Sequence, residues 1–474
     1  MSESTIYRLG LFPGGRPAFE PISPAGLTAA LTGQDPSAED LALKQYTAGR
    51  KKTYLNVIHG VEPKNLASAG WGLVLPRDSD DGLLDALAPL IEHRRRQAGD
   101  RFYQITGEEG LAPRESKAAF LRRHFMGAGP VDPEKLPYYL LLVGSPEQIP
   151  FHFQQQLDVQ FAVGRLHFDR LADYAAYARQ VVETETRAAA AETQAVALWC
   201  PTHDAATIAG YDLFLDPLSK VLAKKNNINL RDMRGAAATK AAFQALAGGA
   251  DPASLLVSLS HGMAAEETIT ADRPDARAAQ GALVCGDWRG GDAPWSDAYV
   301  LGPDSVQPAP NSGTIWFNLS CFGGGTPKIQ PHFKAGRRRN IADEAFVNAL
   351  SQKLLSRERG ALQAVVSHVD LLYLHSFEGN HGGSYPAAFT SAVSALLDGF
   401  PVGAAVDVVN QRYAELATEL TDHLEELHWA DEGTPVDPEK AAAIAETWCA
   451  HHDARNYVVF GDPAVRLGPV PATT

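Results

Sequence analysis

Apolar and polar positions along the chain fall into two series of alternating strand and helix patterns. In the first, short apolar runs at 72–76, 102–106, 138–143 and 162–168 are separated by stretches at 82–97, 116–125 and 171–187, where apolar residues recur at helical spacing. The second series places strands at 195–200, 228–233, 255–259, 314–319 and 361–368, with helices over 210–224, 236–247, 340–355, 384–398 and 402–427. Runs such as Tyr139-Leu140-Leu141-Leu142-Val143 are continuously apolar, as strands buried on both faces of a parallel sheet are. Strands alternating with helices predict βαβ units and an α/β fold with a mostly parallel sheet flanked by helices. An Ala-rich stretch at 188–192 separates the two series. The expected organisation is an extended lead-in over 1–54, an α/β subdomain over 55–190 and a larger α/β domain over 191–474, packed side by side.

Composition narrows the class. With 474 residues, 45% hydrophobic and 21% charged, the chain is long enough for a large core without cross-links. A formal charge of −14 disfavours a phosphate backbone as partner, so nucleic acid is not expected. The basic runs 93–96 and 337–339 read as solvated faces. No apolar run reaches the ~20 residues that cross a bilayer, and the N-terminus lacks a basic start followed by an apolar stretch, so no membrane partner is expected. Four cysteines, Cys200, Cys285, Cys321 and Cys449, are scattered without metal-ligand spacing. They predict no metal, no disulfide framework and a reducing, cytoplasmic compartment.

Function in open α/β sheets sits beyond the carboxyl ends of the strands. Two such ends carry reactive side chains. Leu255-Leu256-Val257-Ser258-Leu259-Ser260 delivers His261, followed by Gly262. Thr314-Ile315-Trp316-Phe317-Asn318-Leu319-Ser320 delivers Cys321, followed by Phe322 and three glycines. The separation, 321 − 261 = 60 residues, leaves room for one excursion before the chain returns to a neighbouring strand. A thiol with a pKa of about 8.5 is mostly protonated at neutral pH, so it needs an imidazole to take its proton or stabilise the thiolate. Gly262 lacks a Cβ and permits close backbone approach, so its N–H and that of Cys321 are the candidate oxyanion hole.

Apolar strand–Ser–His–Gly followed by apolar strand–Ser–Cys resembles the catalytic signature of the caspase-like cysteine peptidases. The segment Tyr139–Phe151 resembles the "LLVGD…IP" stretch of gingipain-type proteins, with Ser145 where an acidic residue is common. Asn456–Leu467 resembles the "YGDP…L" ending shared with the bacterial CHAT peptidases. The resemblance spans 138–467. It implies a caspase-like fold with a preceding related α/β subdomain, an endopeptidase with a His261–Cys321 dyad acting on protein or peptide substrates, no cofactor, and a role in bacterial defence or signalling.

In that family the pocket for the residue before the scissile bond is lined by the strand after the cysteine. Here that strand is followed by Asp370, whose carboxylate would favour Arg or Lys. Alternatively, Asp370 caps a turn or pairs with a local histidine; Asp287 and Glu378 are further candidates for the pocket. The run Arg337-Arg338-Arg339 is a candidate self-processing site for a basic-specific enzyme. The Gly/Pro-rich stretch 263–313 reads as a long loop beside the site, a lid or activation loop that an activating partner protein or ligand would order. Against the enzyme stands a catalytically silent interaction scaffold on the same fold.

Overall fold

A computed structural model describes residues 6–18, 23, 27, 57–187, 194–332, 337–379, 383–384, 386–428 and 436–467. Ten strands form one sheet: β1 (Trp71–Val74), β2 (Phe102–Ile105), β3 (Tyr139–Val143), β4 (Ala162–Leu166), β5 (Gln194–Cys200), β6 (Ile228–Arg234), β7 (Leu255–Leu259), β8 (Ile315–Leu319), β9 (Ala364–His368) and β10 (Tyr457–Gly461). Their order is β2-β1-β3-β4-β10-β9-β8-β7-β5-β6. Every neighbouring pair is parallel except β9 with β10. The sheet therefore consists of two parallel half-sheets of opposite direction, joined where the last strand of the chain inserts between β4 and β9. Strands β1, β3, β4, β7, β8, β9 and β10 are buried along their whole length, which is why their sequences are apolar rather than alternating. The fold is thus α/β, with a large, mostly parallel sheet flanked by helices.

Five long helices pack against it: α1 (Gly82–Ala98), α2 (Leu171–Thr186), α3 (Ala387–Leu397), α4 (Val402–His428) and α5 (Pro438–Asn456). The helices α1 and α2 lie against each other, and α4 contacts both α3 and α5. The run 93–96, expected to be solvated, is so only in Arg95 and Arg96; His93 and Arg94 are buried. Arg94 is fully buried and donates to Glu185 Oε1 and Oε2 (2.6 and 2.7 Å) and to Asp462 Oδ2 (2.6 Å). His93 Nε2 lies 2.7 Å from Glu185 Oε2. A buried cation requires paired carboxylates, and these come from α2 and from the residue after β10. Helical periodicity over 82–97 could not show that His93 and Arg94 face inward while Arg95 and Arg96 face out.

Three further expectations are revised. The predicted helix over 340–355 is a shorter helix, Ala349–Leu355, preceded by the strands Arg337–Asn340 and Phe346–Val347. The predicted helix over 210–224 starts earlier and runs without a gap through Ala205–Gly210, a π-helical stretch at Tyr211–Leu215, and Asp216–Leu222. The stretch 263–313 is not one loop. It holds the helix Pro274–Ala279 and the strands Leu283–Val284 and Val300–Leu301, which join Gly10–Leu11 and Gly262–Met263 in a second, four-stranded sheet. The Ala-rich boundary at 188–192 lies outside the described residues, as does most of the lead-in.

Candidate active site

The half-sheet β9-β8-β7-β5 brings four strand exits to one edge. In the register of β7 with β8, Leu259 faces Leu319, so His261 and Cys321 each follow a paired residue by two positions on adjacent strands. Asp370 follows β9, which pairs with β8 on its other side. Asp204 follows β5, which pairs with β7. Three of the five non-glycine residues with positive φ among the described residues stand at these exits: Thr202 (43°), Phe322 (56°) and Asp370 (88°). Such conformations cost about 1–3 kcal/mol each and persist where surrounding structure dictates them.

The histidine exit is bolted in place. Ser260 Oγ donates to Val284 O (2.6 Å), Val284 N–H donates to His261 O (3.1 Å), and Met263 N–H donates to Ala282 O (2.8 Å). The His261 ring is 2% exposed. Its Nε2 lies 2.8 Å from Asp204 Oδ2, and since a carboxylate only accepts, the proton sits on Nε2 and leaves Nδ1 as the basic nitrogen. Nδ1 is buried and carries no hydrogen bond. Burial pushes the Asp204 carboxyl up, but the neighbouring His261 and the bonds from Thr207 prevail and hold it below the ordinary carboxylate range. Its side chain retains 34% exposure, so this end of the pair reaches solvent. Asp204 also caps the helix Ala205–Gly210 through Thr207 N–H (3.0 Å), which fixes the carboxylate aimed at the histidine. Next to it, His203 stacks on His261 (ring centroids 6.3 Å) and is held by Cys285 O at 3.0 Å from its Nε2.

Cys321 is fully buried. The Leu372 N–H donates to its Sγ at 3.3 Å, and burial pushes the thiol well up from its ordinary value. The strand that delivers it is tied laterally: Asn318 Oδ1 accepts from Ser258 Oγ (3.2 Å) and Ser320 Oγ (3.1 Å). Gly262 lies so close that a Cβ there would overlap the Cys321 carbonyl oxygen. The glycine is demanded by that approach, its φ being outside the left-handed region. The Cys321 N–H, half of the expected oxyanion hole, donates to Leu9 O at 3.3 Å.

Asp370 is buried, and burial raises its carboxyl to about 6. Its Oδ1 accepts from Gln330 Nε2 (2.7 Å) and from its neighbour Leu371 N–H (2.8 Å), while Oδ2 lies 3.8 Å from His452 Nε2. It thus makes the local histidine contact that was the alternative to a pocket role. Asp287 accepts from Lys240 N–H (2.7 Å) at the start of the helix Lys240–Leu246; the Glu378 side chain lies outside the described residues. Arg337, Arg338 and Arg339 lie in a strand paired antiparallel with Ile329–His332, whose Gln330 bonds to Asp370. Cys200 and Cys285 are buried, and burial raises each thiol to about 12; neither is brought to His261 by any recorded bond. Among the described residues no group of three or more His, Cys, Asp or Glu could hold a metal ion, and no helix is long and apolar enough to cross a membrane.

Two participants escaped the sequence reading. Asp204 stands in Pro201-Thr202-His203-Asp204, a third exit of the same half-sheet, where its capping pattern reads as purely local. The other is Leu9, in a lead-in whose short apolar run ends at Phe12-Pro13-Gly14-Gly15 and shows no period long enough to mark it.

No protein-family model matches the chain, and no curated protein matches it. Among solved structures, the chain is similar to a complex of the pro- and mature domains of Porphyromonas gingivalis RgpB, at 13% identity over 85% of this chain and 81% of that one, with a TM-score of 0.43. It is also similar to a structure described as a protease, at 12% identity over 84% and 79%, with a TM-score of 0.46.

Proposed function

We propose that the chain is a caspase-like cysteine endopeptidase acting through Cys321 and His261. The observation that carries this reading is the pairing of the two strand exits in register, with Asp204 on one nitrogen of the imidazole and the other nitrogen free to accept a proton. Cys321 Sγ attacks the peptide carbonyl and His261 Nδ1 takes the thiol proton. Asp204 holds the ring through Nε2 and balances the imidazolium. The backbone N–H groups of Cys321 and Gly262 receive the oxyanion. His261 then protonates the leaving amine, and water hydrolyses the thioester with His261 as base. No step calls for a cofactor.

Preference for Arg or Lys before the scissile bond is assigned to Asp370. A basic side chain would have to reach Oδ2, since Oδ1 already accepts twice. Cleavage of the chain at Arg337, Arg338 or Arg339 would first require that strand to leave its partner, because a substrate backbone must be free to pair with the enzyme. Four buried cysteines in no disulfide fit a reducing, cytoplasmic setting, and a bacterial defence or signalling role is what the family resemblance implies.

The test is hydrolysis of a fluorogenic peptide library by the full chain and by Cys321→Ala. Release that disappears in the variant is the expected result. Release after Arg or Lys supports Asp370; release only after other residues removes that assignment. A preparation whose Cys321 reacts freely with iodoacetamide yet cleaves nothing would sink the peptidase reading and leave the interaction scaffold.

A further inference from the structure

The segment Ile6–Leu11 bonds to residues around Cys321 and His261 and, through Gly10 and Leu11, to its own returning arm. Leu9 N–H donates to Leu372 O (3.3 Å), and Leu9 O accepts from Cys321 N–H (3.3 Å). Arg8 forms an antiparallel bridge with Tyr373. The strand Gly10–Leu11 then pairs in parallel with Gly262–Met263, and Leu11 O accepts from Ala264 N–H (2.7 Å). Ile6, Leu9 and Leu11 are all but fully buried. After Leu11 the chain reverses through Pro13–Gly15 and returns, with Phe12 N–H donating to Arg16 O and Ala18 N–H to Gly10 O (both 2.9 Å). An exposed ion pair, Arg16 to Glu266 (2.6 Å), holds the returning arm.

These bonds are the ones an extended substrate needs. Peptides are recognised in such clefts by main-chain pairing with exposed strand edges. The residue before the scissile bond must place its carbonyl oxygen on the oxyanion donors beside the nucleophile. Leu9 does this at Cys321, with Gly10 following as the leaving-group residue along Gly262–Met263. We propose that the N-terminal strap Ile6–Leu11 is the resident, substrate-like occupant of the Cys321–His261 cleft, so that the chain in this conformation is latent and peptide enters only when the strap is displaced. The proposal rests on the peptidase reading for the meaning of the cleft, but the occupancy can be tested without any turnover. It also explains why Cys321 has no exposed surface and a thiol held protonated, a poor state for a nucleophile. Displacement would return water and substrate to the thiol together.

The test is the alkylation rate of each cysteine by iodoacetamide, read by mass spectrometry in the full chain and in a full-length Leu9→Asp variant. A carboxylate cannot replace a fully buried leucine without a partner, so the variant expels the strap. Cys321 should then react at least about 10-fold faster while Cys200, in the core strand β5, keeps its slow rate. A synthetic peptide spanning residues 6–14, added in excess, should slow Cys321 again. An unchanged Cys321 rate in the variant overturns the proposal, as does failure of the peptide to protect. So does equal acceleration of Cys200, which would make the strap an inseparable part of the core. Hydrogen exchange on the unaltered chain gives an independent reading: the Leu9 and Ala264 amides should exchange faster than that of Phe317 in β8, and equal protection would overturn the strap as a separable unit. If Leu9→Asp frees Cys321 but no library peptide is cleaved, the strap assignment stands and the peptidase reading falls.

Discussion

The two half-sheets are built alike and use their buried charge in opposite ways. In β2-β1-β3-β4-β10, a buried arginine and two buried carboxylates are joined in one paired network. Arg94 spans Glu185 and Asp462, Trp71 Nε1 donates to the other oxygen of Asp462 (2.9 Å), and the Asp462 N–H donates to Tyr177 Oη (2.6 Å). Tyr177 in turn donates to Gln363 O (2.7 Å), just ahead of β9, so the network also ties the halves together. In β9-β8-β7-β5-β6, the strand exits carry a buried imidazole nitrogen with no bond, a buried thiol and three strained backbones. One half pairs its charge network and gains a fixed shape; the other leaves an imidazole nitrogen unbonded near a buried thiol, an arrangement typical of reactive sites. The Asp of the "GDP" motif falls in the first class: Asp462 fastens the junction strand and takes no part in the candidate chemistry.

Breaking the paired network should give the largest effect. Arg94→Ala leaves Glu185 and Asp462 buried without their cation, and the loss expected is about 3–5 kcal/mol of stability. Denaturant unfolding would measure it, and peptide hydrolysis per folded molecule should change little. A pH signature accompanies it. Burial raises the Glu185 carboxyl, but Arg94 and His93 prevail and hold it at about 2. A depressed folded value stabilises above the unfolded value of about 4.3 and is lost as pH falls through the folded one. The wild type should therefore lose stability between about pH 4 and pH 2 more steeply than Arg94→Ala does. Equal slopes would mean that the pair is not charged in the folded chain.

Paired glycines sharpen the contrast. A Cβ at Gly164 in β4 would overlap the Gly461 carbonyl oxygen of β10, and one at Gly262 would overlap the Cys321 carbonyl oxygen. Both clashes are with backbone, so neither can be relieved by a rotamer change. Gly164→Ala should cost about 2–3 kcal/mol of stability, as overpacking does, with the remaining folded protein still active. Gly262→Ala should lower kcat/KM about 10²–10³-fold, because it moves both oxyanion donors, with a smaller fall in Tm. If the two variants lose stability and activity in the same proportion, the division of labour between the half-sheets is wrong.

The sequence made the strand exits of the second half legible because each combines a continuous apolar run with one reactive side chain: Leu255–Leu259 before His261, and Ile315–Leu319 before Cys321. Register between β7 and β8 then follows from ordinary parallel pairing. What stayed hidden depends on contacts between distant segments. Arg94 looks like any basic residue near a helix C-terminus until α2 and the loop after β10 are in place. Asp204 looks like a helix cap, and it is one; its second role exists only because β5 pairs with β7. The insertion of β10 between β4 and β9, which turns two α/β series into one sheet, is invisible to periodicity, since Tyr457–Gly461 has the same apolar pattern in either direction.

The smallest effect, and the sharpest on mechanism, concerns Asp204. An asparagine there can still accept the His261 Nε2–H, so the ring keeps its orientation, but it cannot balance an imidazolium. Asp204→Asn should therefore reduce kcat/KM at neutral pH by about 10–100-fold, less than in a serine triad because a thiol surrenders its proton more readily. The fold should report the same charge. The Asp204 carboxyl is held below the ordinary range chiefly by His261, against the opposing pull of burial, so the pair stabilises above the unfolded value of about 3.9 and fades as pH falls below it. The Tm of the wild type should drop further than that of Asp204→Asn on going from pH 5 to pH 3. Were the two Tm curves parallel while activity still fell, Asp204 would act in the reaction without contributing charge stabilisation to the resting fold; were activity unchanged, His261 would need no third partner, and the exposed end of the pair would be only a helix cap.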